Sequence, residues 1–91
     1  MSHLMGRVEV ADFDTWLRTH LENSRNREAF GMIDGPIYRD INNPNAVLVH
    51  TIVEDMDRAA QWFQTDAFRE ANRRSTALSR EFYVAEKQER P

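Results

Sequence analysis

The feature that most constrains the fold is a pair of β-type runs joined by a short polar turn. The runs are Pro36–Asp40 and Ala46–Val53, and the five residues between them include three Asn and one Pro, which favour turns. A connection of this length predicts an antiparallel hairpin in which Asp40 pairs with Ala46. The chain therefore contains an antiparallel sheet.

The second run of the hairpin is apolar on both of its faces. One face carries Val47, Val49, Thr51 and Val53, and the other carries Leu48, His50 and Ile52. Helices cover only one face of a small antiparallel sheet, and each large apolar side chain left in water forgoes roughly 1.5 to 3 kcal/mol. We therefore predict a homodimer in which two sheets pack face to face. The alternative is a central strand with a few exposed aliphatic side chains.

Four more segments complete the pattern. Strands are predicted over Leu4–Val10 and about Arg80–Lys87, because apolar and polar residues alternate there. A helix is predicted from the N-cap Asp12 to about Ala29, with Gly31 ending it in the left-handed conformation. Glu54, Asp55 and Asp57 are candidate N-caps for a second helix, and Thr65-Asp66 predicts a break and a fresh cap within it.

The order βαββαβ predicts a ferredoxin-like α+β fold with an antiparallel sheet, dimerising into an α/β barrel. With 91 residues, the chain is long enough for one domain, over residues 1–91. The first six residues are interpreted either as native chain or as partly a remnant of cloning.

Composition excludes several classes of function. The chain has no cysteine, which removes disulfides and thiolate sites, and a net charge of -3, which disfavours nucleic-acid binding. No apolar stretch approaches the roughly 20 residues that cross a bilayer, so we expect no membrane partner and a cytoplasmic location. Three scattered His predict no metal site, and three Gly are too few for a phosphate-binding loop.

Several segments resemble the dimeric α/β-barrel proteins, a group that includes antibiotic-biosynthesis monooxygenases, small polyketide cyclases and haem-degrading monooxygenases. The matching segments are Val10–Trp16, Tyr38–Asp40, Asn43–Val47 and Glu54–Ala59. The resemblance implies a cavity between the sheet and the helices of each subunit, with the two sheets forming the barrel. It also implies oxidation of polycyclic phenols, in some members, without metal or flavin.

The chain departs from this group in two places. Its second helix has no His, the haem ligand in the haem-degrading members, so we expect no haem and no other cofactor. The segment Ser75–Arg80 lacks the Gly/Pro turn that is common before the last strand.

His50 and Tyr38 are the candidate catalytic residues. His50 interrupts an aliphatic strand, and the predicted register places Tyr38 on the same face, one pair away diagonally. Such a His can take a proton from a phenolic or β-carbonyl ligand while the Tyr hydroxyl holds the oxyanion. The alternative is a hydrogen-bonded structural His, on the cavity side or on the dimer side of the sheet.

Four more residues are candidates for ligand binding. Trp16 and His20 lie one helical turn apart and can cover a pocket for an aromatic ligand, or simply pack in the core. Trp62 lies off the main apolar stripe of its helix, either at the pocket edge or at a dimer contact. Tyr83 points either into the cavity or into the interface.

Two functions are consistent with these residues. The first is a cofactor-independent monooxygenase or cyclase acting on a small aromatic or polyketide-like molecule. The second is a non-catalytic dimeric binding or interaction module whose cavity is filled by its own side chains. An open cavity with converging polar groups favours the first, and a collapsed one favours the second.

Overall fold

The computed structural model describes residues 1–90. The sheet consists of β1 (Ser2–Val10), β2 (Met32–Arg39), β3 (Ala46–Val53) and β4 (Ala77–Ala85), and the helices are α1 (Phe13–Glu22), α2 (Ser24–Ala29), α3 (Met56–Trp62) and α4 (Asp66–Arg74). All neighbouring strands are antiparallel, in the order β2-β3-β1-β4. The predicted ferredoxin-like α+β fold is confirmed, with each predicted helix divided into two segments.

The ends of the helical segments follow from local hydrogen bonds. Asp12 caps α1, its carboxylate accepting from the backbone N–H of Thr15 at 3.1 Å. The break between α1 and α2, which the sequence did not predict, lies at Asn23, whose side-chain amide donates to the Thr19 carbonyl oxygen at 2.9 Å. The predicted break before α4 is confirmed, since the Thr65 hydroxyl accepts from the backbone N–H of Phe68 at 3.1 Å.

The hairpin register is as predicted, while the bounds of three strands differ. β1 starts at Ser2, two residues before the predicted start. Arg39 pairs with Val47, and the backbone N–H of Asp40 donates to the Ala46 carbonyl oxygen at 3.0 Å. β2 starts at Met32, four residues before the predicted start, because Gly31 already ends the helix with φ +77°. β4 covers Ala77–Ala85 rather than residues 80–87.

The helices cover one face of the sheet, which we call the helix face. Leu4, Met32 and Val53 pack there against Trp62, and Val8 and Val47 pack against Trp16. Because Val47 pairs with Val8, the set Val47, Val49, Thr51 and Val53 belongs to the helix face.

The opposite face, which we call the open face, is uncovered in the single chain. It carries Met5, Ile33, Tyr38, Leu48 and Tyr83, each between 41% and 59% exposed. No helix in residues 1–90 is long and apolar enough to span a membrane.

Candidate functional site

A cavity of about 90 Å³ lies between the helices and the helix face, and we call it the helix-side cavity. Its apolar wall includes five aromatic side chains, namely Trp16, Trp62, Phe63, Phe68 and Phe82. Its polar lining comprises Thr19, His20, Asn23, Arg27, Thr51, Asn72, Ser75 and Arg80. A lining that is mostly apolar with a few polar groups is typical of small-molecule sites, but a volume of about 90 Å³ is below the roughly 300 to 1,000 Å³ that such sites usually have.

The aromatic wall is held by edge and tilted contacts between rings. Trp62 is only 3% exposed, and its ring lies 5.9 Å from that of Phe68 in an edge-on arrangement. Phe63 meets Phe68 edge-on at 5.0 Å, and Phe30 lies behind Trp62 at 5.8 Å. These distances are within the range of favourable aromatic pairs, so the wall has a defined shape.

Phe82 closes the wall on the β4 side because its strand neighbour has no side chain. Gly6 pairs with Phe82 across β1 and β4, and a Cβ at Gly6 would overlap the Phe82 ring. The ring therefore lies over the Gly6 backbone. Phe82 is 38% exposed, so the same ring also reaches the surface.

Arg80 brings a positive charge to the cavity. It lies on the helix face of β4, opposite Val8, and its guanidinium donates to the side-chain oxygen of Asn72. The guanidinium carbon also lies 5.5 Å from the centre of the Phe68 ring. No Asp or Glu in the described chain forms an ion pair with Arg80, and burial lowers the pKa of its guanidinium.

His20 brings a neutral imidazole to the same cavity. Its ring stacks on Trp16 with the centroids 4.8 Å apart and the planes 17° from parallel. Burial and, to a smaller extent, the charge of Arg27 lower the pKa of His20 to about 4, against the opposing effect of Asp34. At neutral pH the imidazole is therefore uncharged.

An ion pair between α2 and β2 supports this side of the cavity. Arg27 and Asp34 are joined by two hydrogen bonds of 2.8 Å, and the Ser24 hydroxyl also donates to Asp34 at 2.9 Å. Burial raises the pKa of the Asp34 carboxyl, but the hydrogen bonds and charge of Arg27 outweigh it and hold this pKa below its usual value. Arg27 also donates to the His20 carbonyl oxygen at 2.6 Å, so the pair anchors the end of α1.

The open face holds a second, shallower concavity of about 600 Å³. Its lining includes Met5, Arg7, Pro36, Tyr38, Leu48, His50, Glu81 and Tyr83. His50 is hydrogen-bonded there to His3, with 2.8 Å between Nε2 and Nδ1. Tyr83 donates to the Glu81 carboxylate, and this hydrogen bond raises the pKa of the phenol.

Gly35 allows the close approach of β2 to His50. A Cβ at Gly35 would lie 2.7 Å from the His50 carbonyl oxygen and 3.1 Å from its Nδ1. The ladder shifts register between Asp34 and Ile37, so this glycine lies in the irregular part of the strand.

The sheet separates the six residues predicted to form a site into two groups. Trp16, His20 and Trp62 line the helix-side cavity, whereas Tyr38, His50 and Tyr83 lie on the open face. Tyr38 and His50 share a face, as the predicted register requires, but they lie on the opposite side from the cavity that the resemblance implies. Within residues 1–90 no three acidic or His side chains are arranged to hold a metal ion.

Sequence reasoning did not single out Arg80 and Asn72. The signal for Arg80 was available, because the alternation that places Phe82 and Val84 on one face of β4 places Arg80 there as well. Asn72 had no such signal, since its contact with Arg80 depends on how α4 crosses β4.

No protein-family model and no curated protein sequence matches this chain. Several solved structures, however, share its fold over nearly the whole chain. A candidate antibiotic biosynthesis monooxygenase from Bordetella bronchiseptica superposes with a TM-score of 0.81 at 12% identity, covering 96% of each chain. A second one, from Caulobacter crescentus, gives 0.77 at 16% identity, covering 97% of this chain and 90% of that one.

A third similar structure is a variant of SnoaB, a cofactor-independent oxygenase from Streptomyces nogalater. It superposes with a TM-score of 0.77 at 11% identity, covering 98% of this chain and 94% of the other. The chain therefore has the fold of the antibiotic biosynthesis monooxygenases, which confirms the resemblance at the level of the fold.

Proposed function

We propose that this protein is a cofactor-independent monooxygenase or cyclase that binds a small aromatic or polyketide-like molecule in the helix-side cavity. The observation that carries the proposal is Arg80, a half-buried cation in an aromatic chamber with no carboxylate partner in residues 1–90. A buried charge without a counter-ion is costly, and an anionic ligand removes that cost. A phenolate or enolate supplies both the negative oxygen and the flat apolar body.

The chemistry follows from holding such an anion. The positive charge of Arg80 favours the ionised form of a phenol or of an activated methylene group, which makes the adjacent carbon electron-rich. In the oxygenase reaction this carbon adds O₂, and a CH₂ group becomes C=O while the second oxygen atom leaves as water. In the cyclase reaction the same carbon attacks a carbonyl group of the ligand instead.

The size of the cavity limits the ligand. At about 90 Å³ it is smaller than the roughly 150 Å³ that accommodates benzene in an engineered protein cavity. A ligand of two or three rings therefore requires a side chain to move. Phe82 is the aromatic side chain best placed to do so, because it is the most exposed ring of the wall.

The proposal includes a homodimer formed through the open face. Met5, Leu48 and Ile33 are each more than 40% exposed there, on strands whose other face is already covered. A second copy would bury these side chains together with Tyr38, His50 and Tyr83. In this assembly Tyr38, His50 and Tyr83 belong to the interface. The reaction takes place in the helix-side cavity, which Arg80 lines.

A non-catalytic dimeric binding or interaction module is the second candidate. The small volume of the helix-side cavity favours it, because about 90 Å³ is less than the roughly 150 Å³ of a cavity that accommodates benzene. In this case the cavity residues act as core, and the protein has no turnover.

Oxygen uptake and product mass distinguish the two. The purified protein, without added metal or flavin, is incubated with a panel of naphthols and anthrones. We expect oxygen consumption and a product in which CH₂ has become C=O, or a dehydrated ring product in the cyclase case. The variant Arg80→Met should lose most of the activity, while Arg69→Met, on the exposed side of α4, should keep it. No turnover of any member of the panel would favour the binding module.

A further inference from the structure

The helix-side cavity contains a single side chain that can accept a proton at neutral pH. Of its lining residues within the described chain, those that ionise are His20, Arg27 and Arg80. A guanidinium has no free acceptor and stays protonated in proteins. The imidazole of His20 is therefore the base available to a ligand in this cavity.

The imidazole is held firmly while its nitrogens remain free. Its ring stacks on Trp16, and the backbone carbonyl of the same residue accepts from Arg27, which is itself fixed by Asp34. Neither ring nitrogen of His20 forms a hydrogen bond within residues 1–90, and no buried polar side-chain atom there lacks a partner. The ring nitrogens are therefore accessible to solvent, and the residue that carries them lines the cavity.

The electrostatic surroundings keep the imidazole of His20 neutral, so that a ring nitrogen can accept a proton. Burial and Arg27 hold the pKa of His20 at about 4, so the ring is neutral above about pH 5. A base this weak works only on an acid that the site itself strengthens. The charge of Arg80 has that effect on a hydroxyl or methylene group bound beside it.

We propose that His20 is the catalytic base that removes a proton from the ligand, an inference that rests on the proposed function. The proton moves from the hydroxyl or activated methylene group to a ring nitrogen of His20, and the electron pair stays on the ligand as a phenolate or enolate. O₂ then adds to the carbon, and the peroxide formed takes the proton back from His20. Loss of the second proton from that carbon, with cleavage of the O–O bond, gives C=O and water.

The first arm of the test separates proton removal from oxidation. The wild-type protein is mixed with 1,8-dihydroxyanthrone under nitrogen, and the rise of the coloured anion is followed by stopped-flow absorbance. We expect rapid ionisation in the wild type and a rate at least about 100-fold lower in His20→Gln, which keeps a polar side chain without the basicity. Leu21→Gln, the same replacement at the exposed neighbour, should ionise the ligand at the wild-type rate.

The second arm excludes a purely structural role. In His20→Ala, added imidazole should restore ionisation in proportion to its concentration, which lost packing alone would not allow. Ionisation at the wild-type rate in His20→Gln, no recovery with imidazole, or no ionisation by the wild type would each overturn the inference.

A repeat in air distinguishes this inference from the proposed function. If ionisation depends on His20 but no oxygen is consumed and no cyclised product forms, the proposed function fails and the base assignment stands. If oxygen is consumed equally by the wild type and His20→Gln, the function stands and the base assignment fails.

Discussion

The Nε and Nη2 atoms of Arg27 each lie 2.8 Å from a different carboxylate oxygen of Asp34, which joins α2 to the second strand of the sheet. The Arg27 side chain is only 10% exposed and that of Asp34 is 24% exposed. Because the same guanidinium also donates to the His20 carbonyl oxygen, this ion pair holds the α1 backbone at the residue that carries the imidazole. The geometry of the candidate site therefore depends on a pair outside the aromatic wall.

Replacing Asp34 by Asn should destabilise the protein strongly. The substitution leaves the buried Arg27 guanidinium without a counter-ion, which costs about 3 kcal/mol in comparable buried pairs. Urea unfolding monitored by circular dichroism measures the loss. Asp66→Asn is the matched control, because the Asp66–Arg69 pair is exposed and its removal should leave the midpoint almost unchanged. Equal midpoints for the Asp34 variant and the wild type would contradict the role of the pair.

Stability should fall as the pH decreases from about 6.5 to about 4. His20 is hard to protonate in the folded protein, with a pKa of about 4 against an ordinary value of 6.5, so the unfolded chain binds more protons in this range. One pKa unit corresponds to about 1.4 kcal/mol, so the expected loss is of the order of 3 kcal/mol. Above pH 6.5 the imidazole is neutral in both the folded and the unfolded chain, so this loss of stability is absent there.

The variant His20→Gln isolates this effect. Its free energy of unfolding should change less than that of the wild type between pH 6.5 and 4, when both are measured by urea unfolding at several pH values. Below the ordinary Asp pKa of 3.8 both proteins should lose stability again, because the pKa of Asp34 is lowered in the folded protein and the unfolded chain therefore takes up this proton first. An identical pH dependence in the two proteins would disprove the assignment to His20.

Local patterns predicted the elements well where one physical signal dominates. The bounds of β3 are as predicted because a β-branched run lies between turn formers, and the break before α4 follows from its Thr65 cap. The break at Asn23 was not predicted, since it depends on a side-chain bond inside a pattern that is otherwise helical.

The face occupied by His50 could not be predicted from β3 alone, because both of its faces are apolar. The neighbouring strand decides it. Val47 pairs with the buried Val8, whereas Leu48 pairs with Arg7. Because apolar and polar residues alternate along β1, its polar side lies on the open face, and Leu48 and His50 lie on that face too. The cavity contact between Arg80 and Asn72 depends on tertiary packing and has no local signal.

Two substitutions on β3 should have opposite consequences. Val49 is partly buried on the helix face and packs against the core, so Val49→Asp partly buries an unpaired charge there and should destabilise the fold. His50 lies on the open face, so His50→Asp should give a folded monomer, provided that the dimer is not obligate for folding. Ile41→Asp, at a turn residue that is 96% exposed, should change neither property.

Analytical ultracentrifugation with circular dichroism measures both outcomes at micromolar concentration. The wild type should sediment as a dimer. A monomeric wild type, or a His50→Asp variant that dimerises as tightly as the wild type, would rule out the open face as the interface.

Gly6 should tolerate a side chain only if Phe82 is shortened. In Gly6→Ala the new methyl group overlaps the Phe82 ring and lies 2.9 Å from Val49 Cγ2, so we expect a loss of about 1 to 3 kcal/mol. In the Phe82→Ala background the same substitution should cost less, because most of the overlap is gone. A double-mutant cycle in urea measures this coupling, and strictly additive costs would show that the ring does not lie over Gly6.

Tryptophan fluorescence tests the central claim, that the helix-side cavity is the ligand site, most directly. The chain has two Trp, Trp16 and Trp62, and both line this cavity. Titration with 1,8-dihydroxyanthrone under nitrogen should therefore quench their emission to saturation. The affinity should fall at least about tenfold in Arg80→Met, which removes a charge-assisted contact. It should be lost in Ala71→Phe, which fills the cavity from α4. Linear quenching without saturation in the wild type, or an unchanged affinity in Ala71→Phe, would contradict the claim.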